Sequence, residues 1–337
     1  MQDERLNHLK QQSQEKPLSR RDFMRALTVA SAAGPGLVAT GLTGFFLTRN
    51  QRAEASEAIV GGLGKLPKVQ LGTKMGKMMV TPICICQDWN RDLLGPALEL
   101  GINFIHKAGY WNNVPEEIKK LPRESYYTDI TVDNTSPHHD PNNFDEAYNQ
   151  VASSLEKNGL KYYDIFRAHY GWETLDSFNK GANASYRAFE KLKSEGKVKY
   201  FGVSQHPYVK YPEIIQAQID AGKIDSMQVW FSYGKPKEDQ DIFAKASMAG
   251  VGMTAMKVYA HGNGKMRNDA AKMEELKADG MVGRALIRYV TTLKRSDGKP
   301  IFHTCVSALG NQQVFEENIS GVSTKVALRD GFDPYAA

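Results

Sequence analysis

The sequence predicts an α/β fold of the (β/α)8 TIM-barrel type, and three observations carry that expectation. Short β-branched or apolar runs alternate eight times with longer amphipathic ones. The alternation fills about 270 residues, the size of one such barrel. No Gly-x-Gly-x-x-Gly follows the first strand-like run, which argues against a doubly wound nucleotide-binding sheet.

Taken in order, the first strand is expected over Met79–Cys86 and its helix over Arg91–Leu100. Asn103–His106 and Val114–Lys120 make the second pair, and Tyr126–Val132 and Phe144–Asn158 the third. Tyr163–His169 and Ala184–Glu195 follow, then Val198–Ser204 and Tyr208–Ala221. Ser226–Phe231 with Asp239–Ala249, Gly252–Met256 with Val282–Thr292, and His303–Ser307 with Gln312–Ile319 complete the repeat. Gly101, Gly159, Gly196, Gly222 and Gly250 fall just after helix patterns, where a left-handed residue closes the last turn.

The 337 residues carry 43 Lys+Arg against 38 Asp+Glu, a net charge of +5. Residues 1–55 alone hold eight basic and five acidic side chains, so only +2 belongs to the rest. With no dense basic run in the remainder, nucleic acid is not an expected partner. Three cysteines cannot build a paired disulfide framework.

Residues 1–55 read as an address. Ser19-Arg20-Arg21-Asp22-Phe23-Met24 and Arg25 precede an uncharged stretch, Ala26 to Thr48. A basic head before an apolar run is an export signal, and the arginine pair resembles the twin-arginine type. Ala53-Glu54-Ala55 offers small residues for cleavage. The expectation is a signal at 1–55, a linker at 56–68 and a barrel at 69–337. The twin-arginine translocation machinery is then a partner and the destination is periplasmic. Twenty-three uncharged residues are also long enough to span a bilayer, so a retained signal would tether the barrel to the membrane.

In a barrel of this type the chemistry sits where strands end. Those positions are Cys84 and Cys86, His106 and Lys107, Thr131 and Asp133, His169, Ser204 and Gln205, Gln228, Lys257, and Ser307 onward.

Several of these runs resemble the aldo-keto reductase family. Gly101-Ile-Asn-Phe-Ile-His106 resembles its second strand, and Asp164-Ile-Phe-Arg-Ala-His169 its fourth. Gly196-Lys-Val-Lys-Tyr-Phe-Gly-Val-Ser-Gln-His206 is similar to the fifth, Met227-Gln-Val to the sixth and Gly252-Met-Thr-Ala-Met-Lys257 to the seventh. Ser307-Ala-Leu-Gly-Asn-Gln-Gln-Val-Phe-Glu-Glu-Asn318 resembles the loop on the adenine side. The resemblance implies an oxidoreductase that passes hydride between NADP or NAD and a small-molecule carbonyl substrate. It implies Ser204, Gln205, Gln228, Lys257, Glu317 and Asn318 as cofactor-binding positions. It also implies a tyrosine proton donor, for which Tyr110 stands one residue short of the usual spacing, and a substrate-orienting histidine at His169.

The resemblance also exposes departures. His106 stands where the family places an aspartate, and Thr131 where it places the lysine that tunes the tyrosine. Cys84-Ile-Cys86-Gln87 replaces a Gly-x-Gly-Thr beneath the nicotinamide, while Gly310 and Val314 replace residues that hold the 2′-phosphate. A barrel that has lost reductase chemistry and serves as a binding or assembly component is therefore an alternative.

A metal centre is a further alternative. Cys84 and Cys86 are two apart and share a strand face. With His106 and His169 they make a Cys2His2 set suited to zinc or copper. His138-His139-Asp140 is either a metal-catching lip or a solvated loop, and Trp111, Trp172, Trp230, Tyr170 and Tyr233 either line an apolar pocket or fill space between loops.

Overall fold

The computed structural model describes residues 65–106, 114–133, 144–170, 175–205, 211–233, 235, 237–259, 282–309 and 312–322, all within the unit Leu63–Ala337. The signal at 1–55, Tyr110 and the His138-His139-Asp140 loop lie outside these residues. No helix among the described residues is long and apolar enough to cross a membrane.

A small antiparallel hairpin precedes the barrel, with β1 (Val69–Gln70) paired to β2 (Met79–Val80). The expected first strand, Met79–Cys86, is two elements, β2 and β3 (Ile83–Trp89). Pro82 has no N–H to carry a ladder through the junction. The Thr81 hydroxyl donates to the Ile83 carbonyl at 2.7 Å, and Asn103 donates to the Met79 carbonyl at 2.8 Å, so the corner is held by side chains.

From β3 onward the strands run β4 (Phe104–Ile105), β5 (Tyr127–Asp133), β6 (Tyr163–Tyr170), β7 (Val198–Gln205), β8 (Ser226–Trp230), β9 (Gly252–Met256) and β10 (Thr304–Leu309). All pair in parallel, and β10 closes on β3. Between them lie α1 (Leu94–Glu99), α2 (Glu116–Lys119), α3 (Phe144–Asn158), α4 (Leu175–Ser194), α5 (Tyr211–Ala221), α6 (Lys237–Met248), α7 (Val282–Thr292) and α8 (Gln312–Val322). This is the (β/α)8 barrel that the alternation predicts. α4 starts nine residues ahead of the expected Ala184, because Asn179, Gly181 and Asn183 are weak helix formers that obscure its first turns. The five glycines expected to close helices all have positive φ, between 62° and 85°.

The helices are clamped to the barrel by aromatic rings. Phe189 of α4 packs on Phe201 of β7 with centroids 5.2 Å apart, and Phe201 stacks on Phe166 of β6 at 5.8 Å. Phe231, just beyond β8, meets Phe302 at 4.8 Å and Phe243 of α6 at 5.8 Å. Burying each such ring contributes about 1.5–3 kcal/mol.

The hairpin plugs the end where the strands begin. Its Leu71, Met75, Met78 and Val80 join Cys84, Phe104 and Ile165 in one buried cluster. Gly72, at φ 66°, brings the hairpin backbone so close to β9 that a Cβ there would stand 2.5 Å from the Gly252 nitrogen. That end is therefore sealed by apolar side chains.

Candidate active site

Alternate residues of each strand face the barrel interior, and the register sets their level. His169 of β6 pairs with Ser204 of β7, and Ser204 with Gln228 of β8, so these three lie side by side near the strand ends. Ser204 and Gln228 are buried and His169 is half-buried. His106, just past β4, joins them from across the barrel: Gln228 Nε2 lies 3.2 Å from His106 Nε2.

One layer deeper lies a charge pair that the sequence reading missed. His106 Nδ1 is 2.9 and 2.8 Å from the two carboxylate oxygens of Asp129 on β5. Arg167 of β6 donates through Nε to Asp129 Oδ2 at 3.1 Å, and through Nη1 to the Val203 carbonyl and Ser226 Oγ, each at 3.4 Å. Asp129 and Arg167 have no exposure to solvent. The signal was present in the sequence. Interior strands of parallel sheets read as apolar runs, and Asp129 and Arg167 interrupt two of them, each two residues before a predicted mouth position, Thr131 and His169.

The other predicted positions divide. Thr131, where the resemblance expects a lysine, has a buried Oγ1 with no hydrogen-bond partner among the described residues. Lys257 follows β9 in a left-handed conformation, φ 56°, with its ammonium 4.6 Å from the centroid of the Trp230 ring, and burial pushes its pKa down. Lys235 stands 4.4 Å from the same ring. Gln205 turns away from the interior, because it is the odd neighbour of Ser204, and its Oε1 accepts from Gln218 of α5 at 3.0 Å. Asn318 is fully buried, donating to Ser307 Oγ at 2.8 Å and accepting from the Tyr259 hydroxyl, so its amide ties α8 to the barrel. Glu317 accepts from the Gly283 N–H at the start of α7, at 2.9 Å. Tyr110 and Lys107 lie outside the described residues.

The four-ligand metal set does not assemble. Cys84, Cys86, His106 and His169 are all described, yet no three His, Cys, Asp or Glu side chains among the described residues are grouped to hold an ion. The Cys84 thiol donates to the Cys305 carbonyl at 3.4 Å within the apolar plug cluster, and burial pushes its pKa well up, disfavouring the thiolate that a metal needs. His106 is spent on Asp129 and Gln228.

The sequence model of the Aldo/keto reductase family matches residues 87–307. The chain belongs to the aldo/keto reductase family. Its barrel is similar to the holo form of an aldo-keto reductase from Bacillus halodurans, with 19% identity and a TM-score of 0.59 over 76% of this chain and 90% of that one. It is also similar to an aldo/keto reductase from Brucella melitensis, with 18% identity and a TM-score of 0.55 over 79% and 96%. No curated protein matches the chain by sequence.

Family and fold together support an oxidoreductase, and aldo-keto reductases typically use NAD(P)H. This member carries a neutral Thr131 and a buried His106–Asp129–Arg167 chain.

Proposed function

We propose that this aldo/keto reductase is exported by the twin-arginine route and transfers hydride between a nicotinamide cofactor and a small carbonyl compound. One observation carries the reading. Gln228 Oε1 is buried, has no hydrogen-bond partner among the described residues, and lies beside Ser204 and His169 on adjacent strands. A buried acceptor without a donor costs about 1–3 kcal/mol, which a ligand N–H would recover. The carboxamide of a nicotinamide supplies such a donor, and Ser204 adds a hydroxyl at the same level. When bound, the nicotinamide supplies the hydride. His169, half-buried at the mouth, orients the carbonyl, Tyr110 delivers the proton to its oxygen, and His106 lies near that tyrosine. Lys257 adds positive charge at the end of β9, where the phosphates of a nucleotide are attracted.

A barrel that binds without turnover is the second reading. It is favoured by Thr131, which brings no positive charge to the position where the resemblance expects a lysine.

Titration of the purified protein with NADPH and with NADH, followed by fluorescence quenching, tests the first reading. Binding is expected, and Gln228→Ala should weaken it roughly 5- to 30-fold. Absence of binding for both nucleotides would reject the proposal. Binding with carbonyl turnover that Tyr110→Phe abolishes supports the reductase, whereas binding with no turnover of any carbonyl in a broad panel supports the second reading. For export, the double change Arg20→Lys and Arg21→Lys should hold the protein in the cytoplasm, as read by cell fractionation.

A further inference from the structure

The four side chains Arg167, Asp129, His106 and Gln228 form one continuous buried chain across the barrel, and hydrogen-bond chemistry dictates its polarity. Both Asp129 oxygens are close to His106 Nδ1 and both can only accept, so Nδ1 carries a proton. Gln228 Nε2 can only donate, so His106 Nε2, 3.2 Å away, accepts and carries none. The imidazole is thereby a single neutral tautomer, and Gln228 is held with its other amide atom, Oε1, unpartnered.

The opposite orientation of Gln228 is chemically distinct. It would turn Oε1 toward His106 Nε2 and require a proton there, either in the other neutral tautomer or in the imidazolium. The other neutral tautomer would set a bare Nδ1 against the carboxylate of Asp129, lone pair to lone pair. The carboxylate faces Arg167, whose Nη2 is 3.0 Å from Oδ2 with both residues out of contact with water.

We infer that Asp129, backed by Arg167, is a positioning residue. It sets the His106 tautomer, and through His106 it sets which end of the Gln228 amide faces the barrel mouth. The mouth then presents a hydrogen-bond acceptor at Gln228 and selects ligands that bring an N–H donor, such as a primary carboxamide, over ligands that bring only acceptors. The ion pair is costly to bury. Its place beneath His106 gives it this directional role. The identity of the ligand rests on the function proposed above, whereas the tautomer is a property of the ligand-free chain.

The test is a long-range proton–nitrogen correlation spectrum of the uniformly labelled full chain at neutral pH, without nucleotide. His106→Gln assigns the resonances. The expected signature is a protonated Nδ1 and an unprotonated Nε2. A protonated Nε2 in the unmodified protein, in either the other neutral tautomer or the imidazolium, overturns the inference whatever the nucleotide titration shows. The double variant Asp129→Asn with Arg167→Met removes both charges together and should mix the tautomers of His106. An unmixed Nδ1–H signature in a folded double variant would overturn the role of Asp129, and loss of folding in that variant leaves the unmodified protein's spectrum to decide.

Discussion

Arg167 reaches across from β6 to donate its Nε–H to Asp129 Oδ2 of β5 at 3.1 Å, and neither side chain has any exposure to solvent. Two charges removed from water in this way lose hydration that their attraction only partly returns. Arg167→Met takes the guanidinium away from the buried carboxylate of Asp129, and should cost about 3–5 kcal/mol. Adding Asp129→Asn to that variant should restore most of the loss. Urea unfolding of the two single variants and the double variant checks this. Additive losses would mean that the pair is not coupled.

The barrel was legible because its signals are local. Each strand–helix pair ends on a glycine or a polar residue, and the five helix-closing glycines sit in the left-handed region as their spacing predicts. The hairpin was not legible. Met79 and Val80 continue the apolar run of β3 in sequence, and only Pro82 hints at the break. The site was half legible for a physical reason. Alternation places Ser204 inward and Gln205 outward, yet both are polar and both fit a strand end. The resemblance puts Asn318 on the adenine side, and nothing local announces that its amide also bonds to Ser307 and Tyr259, which lie far from it in sequence. The Asp129–Arg167 pair is 38 residues apart, and no local pattern announces that two interrupted apolar strands supply each other's charge.

Gly72 should resist any side chain. Its φ of 66° lies in the left-handed region, and a Cβ there would come 2.5 Å from Gly252 N, 2.6 Å from Gly250 O and 2.7 Å from Val251 C. These are backbone atoms of the β9 entrance, which cannot rotate away. Strain of about 1–2 kcal/mol for the conformation adds to about 1–3 kcal/mol for the overlap. Gly72→Ala should therefore lower stability by about 2–5 kcal/mol, seen as a lower Tm. An unchanged Tm would show that the hairpin does not seat against β9.

The three thiols should behave differently from one another. Cys84 and Cys305 are buried, and burial pushes both thiols up, so neither offers a thiolate at neutral pH. Cys86 is half-buried at the next inward position of β3. A disulfide-exchange reagent should label Cys86 in the folded protein and all three cysteines in urea. Cys84→Ser should leave the zinc and copper content unchanged. Rapid native labelling of Cys84, or metal lost with it, would contradict the packing of the plug.

His303 makes stability depend on pH in a definite direction. It lies just before β10, 7% exposed, and its Nδ1 accepts from the Met253 N–H at 3.0 Å. Burial, helped by the positive charge of Arg295, pushes its pKa down to about 4. In the unfolded chain a histidine titrates near 6.5. Above about pH 6.5 both states are neutral there, and His303 adds no pH dependence. Between about pH 6.5 and 4 the unfolded chain takes up a proton that the folded chain refuses, so stability falls as the pH is lowered through that window. The full effect is about 3 kcal/mol. His303→Gln keeps an acceptor for the Met253 N–H but cannot titrate in this range. The stability advantage of the unmodified protein over this variant, measured by urea unfolding, should shrink by about 3 kcal/mol from pH 7 to pH 4, because carboxylates common to both cancel. A difference that stays constant with pH would show that His303 is protonated as readily in the folded chain as in the unfolded one.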